Sequence, residues 1–377
     1  MIRVVYLIDS LVSGGAQRQL VELAARIDRT KYNPLVITYY PYWHFRGKLE
    51  IAGIPILFVE RSRRFDLNFI FKLIRVLRRC SPDILHCYLR TPNDIGRVAG
   101  RLSGVKKIII SERNIDLAHS WIQLRKERYL QRFANRVIVN AEAIRKLIEH
   151  HVPAWGKRIR VIPNGVDLKE FSGNRDKNRA KFRKKLDCCD GERLIGTVGS
   201  IKVQKNPGLL IEAYSGLREI SATRLVFVGK QLDQELFLNL LRVVKEKGLQ
   251  KRVSFLPETT DVSGALAGMD LFVLPSSWEG CPNALLEAMA SGLPVLASDT
   301  SDNPQIIGGE EIGLVFRNGD MKDLQSKLGV LLKLTDEELE KKGRAARKRV
   351  EEYYSVSEMV ERTEQVYTEV LAETRIR

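Results

Sequence analysis

Residues 279–287 read Glu-Gly-Cys-Pro-Asn-Ala-Leu-Leu-Glu, two carboxylates bracketing seven residues. The apolar run Leu271-Phe272-Val273-Leu274 delivers the chain into a short loop ahead of them. Pro282 stands where a helix begins, a place it tolerates because its missing N–H has no helical partner there. The unpaired backbone N–H groups of that helix start suit a phosphate. Glu279 and Glu287 can accept hydrogen bonds from hydroxyls on either side of the anion, an arrangement that suits a nucleotide sugar. Two further places carry related chemistry. Gly14-Gly15 follows the first apolar run, and paired glycines let backbone N–H groups approach an anion closely. It is not a G-x-G-x-x-G, so a dinucleotide fingerprint is absent. Lys205, in Gly199-Ser200-Ile201-Lys202-Val203-Gln204-Lys205-Asn206-Pro207, follows a strand and a glycine. A cation there can neutralise a departing diphosphate.

These residues need elements to position them, and the apolar pattern supplies an alternation of strand and helix. In the first half strands are expected at 2–8, 34–38, 55–59, 83–87, 106–110 and 136–140. Helices are expected at about 15–27, 45–52, 67–80, 92–103, 119–134 and 141–151. A second cycle has strands at about 193–198, 224–228, 252–255, 271–274, 294–297 and 312–316. β-Branched and aliphatic runs of this kind imply parallel sheets covered on both faces. The expected fold class is therefore α/β, with two doubly wound Rossmann-like domains facing a central cleft. Ligands of such sheets bind beyond the carboxyl ends of the strands. The charged segment from Asp167 to Glu192 reads as a linker holding a short helix around 176–186.

A chain of 377 residues has room for two domains, and 44% hydrophobic content is that of a globular protein. No apolar run approaches the ~20 residues of a membrane-spanning helix. The stretch from Ile2 to Ile8 is too short for a signal peptide, so a cytoplasmic location is expected. Five cysteines without a C-x-x-C spacing read as reduced thiols, with neither a disulfide framework nor a zinc site. Net charge is +16 and uneven: residues 1–190 hold 38 Lys+Arg against 18 Asp+Glu, and the remainder 24 against 28. The basic half would attract polyanions such as phosphates, anionic lipid or nucleic acid.

The segment Glu279–Glu287, continued by Ala288-Met289-Ala290-Ser291-Gly292-Leu293-Pro294-Val295, resembles the retaining glycosyltransferases of family 4, also called group 1, whose fold is GT-B. The resemblance covers nearly the whole chain. It includes Gly14-Gly15-Ala16-Gln17, Val161-Ile162-Pro163-Asn164-Gly165-Val166-Asp167, and Gly199 through Pro207. It implies an acceptor-binding domain over 1–170, a nucleotide-sugar-binding domain over 171–355, and a last helix over 356–377 that crosses back to the first. It implies further that Glu287 accepts the ribose hydroxyls and Glu279 those of the transferred sugar. The backbone of Gly280, Cys281, Pro282, Asn283, Ala284 and Leu285 would hold the sugar and diphosphate. Lys205 would meet the diphosphate, Gly14 and Gly15 would touch donor and acceptor, and Gly199, Leu256 and Pro257 would lie at the donor and its base. Relatives often carry an Arg just after the glycine, where this chain has Ser200. Many carry a His near the reacting centre where Ser111-Glu112-Arg113-Asn114 places Arg113. An Arg cannot act as a base. Arg113 either holds a phosphate or developing charge bidentately, or pairs with Glu112 at the surface.

Two helices of the basic half carry cations at helical spacing. Asp66 can cap the first, where Lys72, Arg75 and Arg79 form one stripe and Leu67, Ile70, Ile74 and Leu77 another. The second carries Arg125, Arg128 and Arg132 with Trp121, Ile122, Tyr129, Leu130 and Phe133. Such helices suit an anionic membrane surface or a phosphate-bearing acceptor. The expected protein is a cytoplasmic transferase peripherally associated with the membrane face. Its partners would be a nucleotide-diphosphate sugar and a polyprenyl-diphosphate-linked saccharide, in surface polysaccharide or glycan assembly. Asp-x-Asp does not occur, so no metal and no cofactor is expected. A soluble acceptor or a nucleotide-sugar epimerase are the alternatives. No RNP, helix-turn-helix or zinc pattern supports nucleic-acid binding.

Overall fold

The computed structural model describes residues 1–63, 66–113, 121–173, 175–189, 191–218 and 220–373, without the side chains of 121–124. Asn114 and the side chains of Trp121 and Ile122 lie outside the described residues. The chain divides into two units, Met1–Gly165 with Val356–Arg377, and Val166–Ser355.

The first unit is built on β1 (Ile2–Leu7), β2 (Tyr32–Thr38), β3 (Ile56–Phe58), β4 (Ile84–Tyr88), β5 (Lys107–Glu112), β6 (Arg136–Val139) and β7 (Ile159–Val161). They form one parallel sheet in the order β3-β2-β1-β4-β5-β6-β7. Its helices are α1 (Gly15–Arg26), α2 (Arg46–Ile51), α3 (Leu67–Cys80), α4 (Arg90–Ser103), α5 (Trp121–Leu130) and α6 (Glu142–His151). The second unit has β8 (Arg193–Val198), β9 (Thr223–Val228), β10 (Val253–Leu256), β11 (Leu271–Leu274), β12 (Val295–Ser298) and β13 (Gly313–Phe316), in the order β10-β9-β8-β11-β12-β13, again all parallel. Its helices are α7 (Arg175–Lys184), α8 (Pro207–Ser215), α9 (Gln234–Glu246), α10 (Val262–Ala267), α11 (Asn283–Ala290), α12 (Asn303–Ile307), α13 (Met321–Leu332) and α14 (Asp336–Tyr353). The last helix, α15 (Val356–Ala372), belongs to the first unit.

Each sheet separates two cores because successive strand side chains point to opposite faces. Val4 and Tyr6 of β1 pack with α1 and with Val356, Met359, Val366, Tyr367 and Val370 of α15. Val5 and Leu7 face the other way, onto Phe69, Leu73, Ile74 and Leu77 of α3 and Ile144 of α6. The second unit repeats the alternation in β11: Phe272 and Leu274 face α11 and α14, while Leu271 and Val273 face α8 and α13. Continuous apolar runs are thus consumed on both sides of each sheet.

Four features differ from expectation. β7 escapes the sequence pattern because three residues set among Lys157, Arg158 and Arg160 are too short an apolar run to read. α4 begins at Arg90 rather than 92, since Leu89 takes a positive φ of 74° that starts the helix there and leaves Pro92 harmlessly in the first turn. The stripe expected on α3 is rotated: Leu67 is exposed, and the buried residues are Phe69, Leu73, Ile74 and Leu77. The segment expected as a linker is structural. Phe182 and Leu186 enter the second unit's core, and Asp270 receives Arg179 at 2.6 Å and Arg183 at 3.0 Å. Paired around one carboxylate, those arginines satisfy charge that the sequence alone presents as solvated.

Candidate functional site

The order β10-β9-β8-β11-β12-β13 reverses direction at β8, so the loops after β8 and β11 leave adjacent strand ends. That is the switch point at which open parallel sheets bind ligands. The β8 loop begins at Gly199, with φ +151°, whose N–H donates to Val228 O at 2.9 Å. A Cβ on Gly229 would fall 2.1 Å from Gly199 O, so only glycine lets the ends of β8 and β9 approach this closely. The loop then turns through Val203–Lys205, and Asn206 in the left-handed region (φ 46°) hands it to Pro207 at the start of α8.

The β8 and β11 loops are stitched together. Ser277 N–H donates to Gln204 O at 2.8 Å, and Gln204 Nε2 donates to Trp278 O at 2.7 Å. The result is that Lys205 Nζ sits 2.6 Å from Glu279 Oε1, although 74 residues separate them. Glu279 is buried, and the pair is a charge-assisted contact in a site largely shielded from water. Lys202 lies beside it, its pKa pushed down by burial and by the Lys205 charge, partly offset by Glu279.

Around the start of α11 the backbone is held by side chains from the end of β12 and the loops after β12 and β13. Ser298 Oγ donates to Ser276 O at 2.6 Å, Asn318 Nδ2 to Ser277 O at 2.7 Å, and Ser301 Oγ to Gly280 O at 3.0 Å. Because the peptide is planar and trans, fixing the Gly280 carbonyl also fixes the opposite direction of the Cys281 N–H. Pro282 is the N-cap residue, so α11 starts at Asn283, and Leu285 and Leu286 N–H return to Pro282 O. Lacking an N–H, Pro282 contributes its carbonyl here and no donor. Glu287, the fifth helical residue, is buried. Leu256 and Pro257 line a cavity of about 330 Å³ together with Val228, Glu258, Lys181 and Lys185. This cavity is also within the second unit.

In the first unit Gly14 caps α1 and Gly15 is its first residue. Below them Asp9 accepts from Ser10 Oγ at 3.1 Å and Gln17 Nε2 at 3.3 Å, and burial raises its pKa. Arg113 is buried and does not pair with Glu112. Its Nη1 donates to Asn164 Oδ1 at 2.6 Å, its guanidinium lies 5.0 Å from the Tyr88 ring centre, and its Nε lacks an acceptor among the described residues. Glu112 instead accepts from Asn93 Nδ2 at 2.8 Å. Burial, reinforced by Glu127, raises its carboxyl to about 7 against the opposing pull of Asn93 and Arg97. The surface-pair alternative for Arg113 and Glu112 is therefore wrong, because both point into the interior with separate partners. His86 is fully buried in β4. It bridges Tyr367 OH at 2.7 Å and Ser111 Oγ at 2.9 Å, and burial lowers its pKa.

Sequence reasoning missed Asn93, Asn164 in its contact with Arg113, and the His86–Tyr367 bridge. Asn164 was visible as part of the Ile162–Val166 motif; the others carry no local signal. The reciprocal bonds of Gln19 with Gly165, 2.8 Å and 3.0 Å, were likewise silent. Of the basic candidates, Lys72, Arg75, Arg79, Arg125, Arg128 and Arg132 are all exposed. Arg132 stacks 4.1 Å from the Tyr129 ring centre.

Two doubly wound parallel sheets, one to each unit, are the architecture of the GT-B fold. A solved Anabaena protein, HepE in complex with UDP and glucose, superposes with a TM-score of 0.87 at 20% identity, over 98% of this chain and 100% of that one. Residues 13–170 match the family described as Glycosyltransferase Family 4, and residues 178–349 match Glycosyl transferases group 1. The chain belongs to glycosyltransferase family 4. It is 26% identical over 333 residues to the UDP-Gal:alpha-D-GlcNAc-diphosphoundecaprenol alpha-1,3-galactosyltransferase of Escherichia coli, covering 84% of this chain and 83% of that protein. It is also 26% identical over 316 residues to the N-acetyl-alpha-D-glucosaminyl L-malate synthase of Bacillus anthracis, covering 82% and 81%.

Proposed function

We propose that this glycosyltransferase moves a sugar from a nucleoside-diphosphate donor to a hydroxyl of a polyprenyl-diphosphate-linked saccharide, with retention at the anomeric carbon, in surface polysaccharide or glycan assembly. The observation that carries the reading is the Lys205–Glu279 contact at the switch point beside the start of α11. In the reaction the bond from the anomeric carbon to the diphosphate oxygen breaks, and the acceptor oxygen bonds to the same face. The departing phosphate oxygen takes the acceptor proton, so no side-chain base is required. Lys205 and the backbone N–H groups at the start of α11 would stabilise the developing negative charge. Glu279, oriented by Lys205, would accept from the sugar's hydroxyls, and Glu287 from the ribose. The cavity at Leu256 and Pro257 would take the base. Lys205 and the helix start supply the positive charge that a divalent ion would otherwise bring, so metal-independent turnover is expected.

Arg113, buried and with its Nε lacking an acceptor among the described residues, is assigned to an anionic group of the acceptor. The lipid-linked acceptor is supported by the Escherichia coli relative, whose name specifies one, and by the positive charge of the first unit. That unit holds 33 Lys+Arg against 18 Asp+Glu, whereas the second holds 29 against 28. The same charge favours action at an anionic membrane face, and among the described residues no helix is long and apolar enough to cross a membrane. A second reading, a small soluble acceptor, is favoured by the similarly covered malate synthase relative. Calorimetric titration with UDP-, GDP- and ADP-sugars without metal, followed by transfer assays on polyprenyl-diphosphate and soluble acceptors, decides between them. Transfer to soluble acceptors alone would overturn the lipid-linked reading.

A further inference from the structure

α3 has a second apolar component that its packing does not use. Its inner side, Phe69, Leu73, Ile74 and Leu77, is buried against the sheet. On its outer side Leu67 is 76% exposed and Phe71 69% exposed. Spacings of four, four and three place Leu67, Phe71, Arg75 and Arg78 on one stripe, with Lys72 and Arg79 flanking it. All six are exposed. The neighbouring end of α4 extends the patch: Leu102 is 57% exposed, and Arg78 Nη2 donates to its carbonyl at 3.0 Å.

The charge on this face has one sign. No Asp or Glu occurs between Leu67 and Cys80. Asp66, at the N-cap, is occupied by the N–H groups of Phe69 and Ser62 at 2.9 and 3.0 Å. Among the described residues Lys72, Arg75 and Arg79 form no salt bridge. A solvated helix face does not need a protruding Phe and Leu among its cations, and a polyphosphate would leave both in water. Apolar tips set among basic side chains match a lipid interface, where the tips enter the acyl boundary and the cations meet headgroup phosphates. α5 differs, since its Glu127 turns inward to Arg97, at 2.7 and 2.8 Å, and the Arg132 that follows it is stacked on Tyr129.

We propose that the outer face of α3 docks the first unit on an anionic phospholipid surface, with Leu67 and Phe71 inserted and Lys72, Arg75, Arg78 and Arg79 at the headgroups. The proposal rests on the lipid-linked acceptor reading for its purpose, although the surface itself is independent of it. The test uses the full chain and phosphatidylcholine vesicles with or without phosphatidylglycerol, in the absence of donor and acceptor. Wild type is expected to bind only the anionic vesicles and to be released at about 0.5 M salt. Changing Lys72, Arg75 and Arg79 to Glu should weaken binding more than about 100-fold, since each cation contributes roughly a five-fold factor. Leu67→Ser with Phe71→Ser, which leaves the charge untouched, should weaken it at least about tenfold. A Phe71→Trp variant should show a blue-shifted emission on anionic vesicles and quenching by brominated acyl chains.

Unchanged binding of the double Ser variant, or no emission shift, overturns insertion. Competition by millimolar inorganic phosphate would assign the cations to a free anion instead, and capture only by an acidic protein would assign the face to a protein partner; either overturns the proposal. Normal transfer to a short-chain polyprenyl acceptor in solution with no vesicle binding overturns docking alone. Vesicle binding with no transfer to any polyprenyl acceptor overturns the acceptor reading alone.

Discussion

Lys205 and Glu279 each owe their setting to the other. Alone, a Lys is solvated and a buried Glu is costly; together at 2.6 Å they hold a charge pair where a sugar diphosphate would displace or bridge it. Glu287 has the simpler expected role, and Glu287→Ala should lower donor-sugar affinity ~100-fold, the loss of one or two charge-assisted hydroxyl bonds. Calorimetry checks this alongside an unchanged circular dichroism spectrum, and wild-type affinity would remove Glu287 from the site. Glu112 makes a prediction of a different kind. Its carboxyl titrates near 7 in the fold against about 4.5 unfolded, so the folded state holds the proton more tightly. Its contribution to stability is therefore greatest below about pH 4.5 and is lost as pH rises toward 7. Glu112→Gln keeps a carbonyl for Asn93 and removes the titration. The variant should be more stable than wild type at pH 8, by at most about 3 kcal/mol, with the difference vanishing near pH 4. Melting curves across that range test it, and parallel wild-type and variant profiles would refute it.

The elements around the site are held by close backbone approach more than by side-chain mass. Gly199 and Gly229 directly follow β8 and β9, and the loop ahead of α11 is tied by Ser298, Ser301 and Asn318. Gly229→Ala puts a methyl against a backbone carbonyl that has no rotamer to yield. A stability loss of about 1–3 kcal/mol is expected, with weaker donor binding because Lys205 moves with the loop. A variant with wild-type melting and donor affinity would show that the loop adapts. The strands and most helices were legible because apolar runs, Gly and Pro report local conformation directly. β7 and the rotated face of α3 were not. β7 is too short to show a period, and which side of a helix is covered depends on the sheet it meets.

At the scale of the molecule, the first unit depends on a segment from the far end of the chain. Val356, Met359, Val360, Val366, Tyr367 and Val370 complete one of its two cores, and Tyr367 reaches His86 at 2.7 Å. Each such side chain is worth about 1.5–3 kcal/mol when buried, so losing all six exceeds what a domain of marginal stability can spare. Truncation after Ser355 should leave the second unit folded and the first unfolded. Limited proteolysis would then show a protected fragment within Val166–Ser355, and equal protection of both units would contradict the dependence. The positive charge is concentrated in that same first unit, so its loss should also abolish any binding to anionic surfaces.

The amino-acid order alone determined the α/β alternation, the E-x7-E segment ahead of and within α11, the glycine turns and the family. The first three are written in neighbouring residues, through apolar periodicity and turn chemistry, and the family in the resemblance of its motifs. Tertiary structure decided the rest. It placed Lys205 against Glu279, separated Arg113 from Glu112, raised the Glu112 carboxyl, and turned Leu67 and Phe71 outward. Each of these depends on groups tens or hundreds of residues away, whose meeting is set by strand order and by what the fold removes from water.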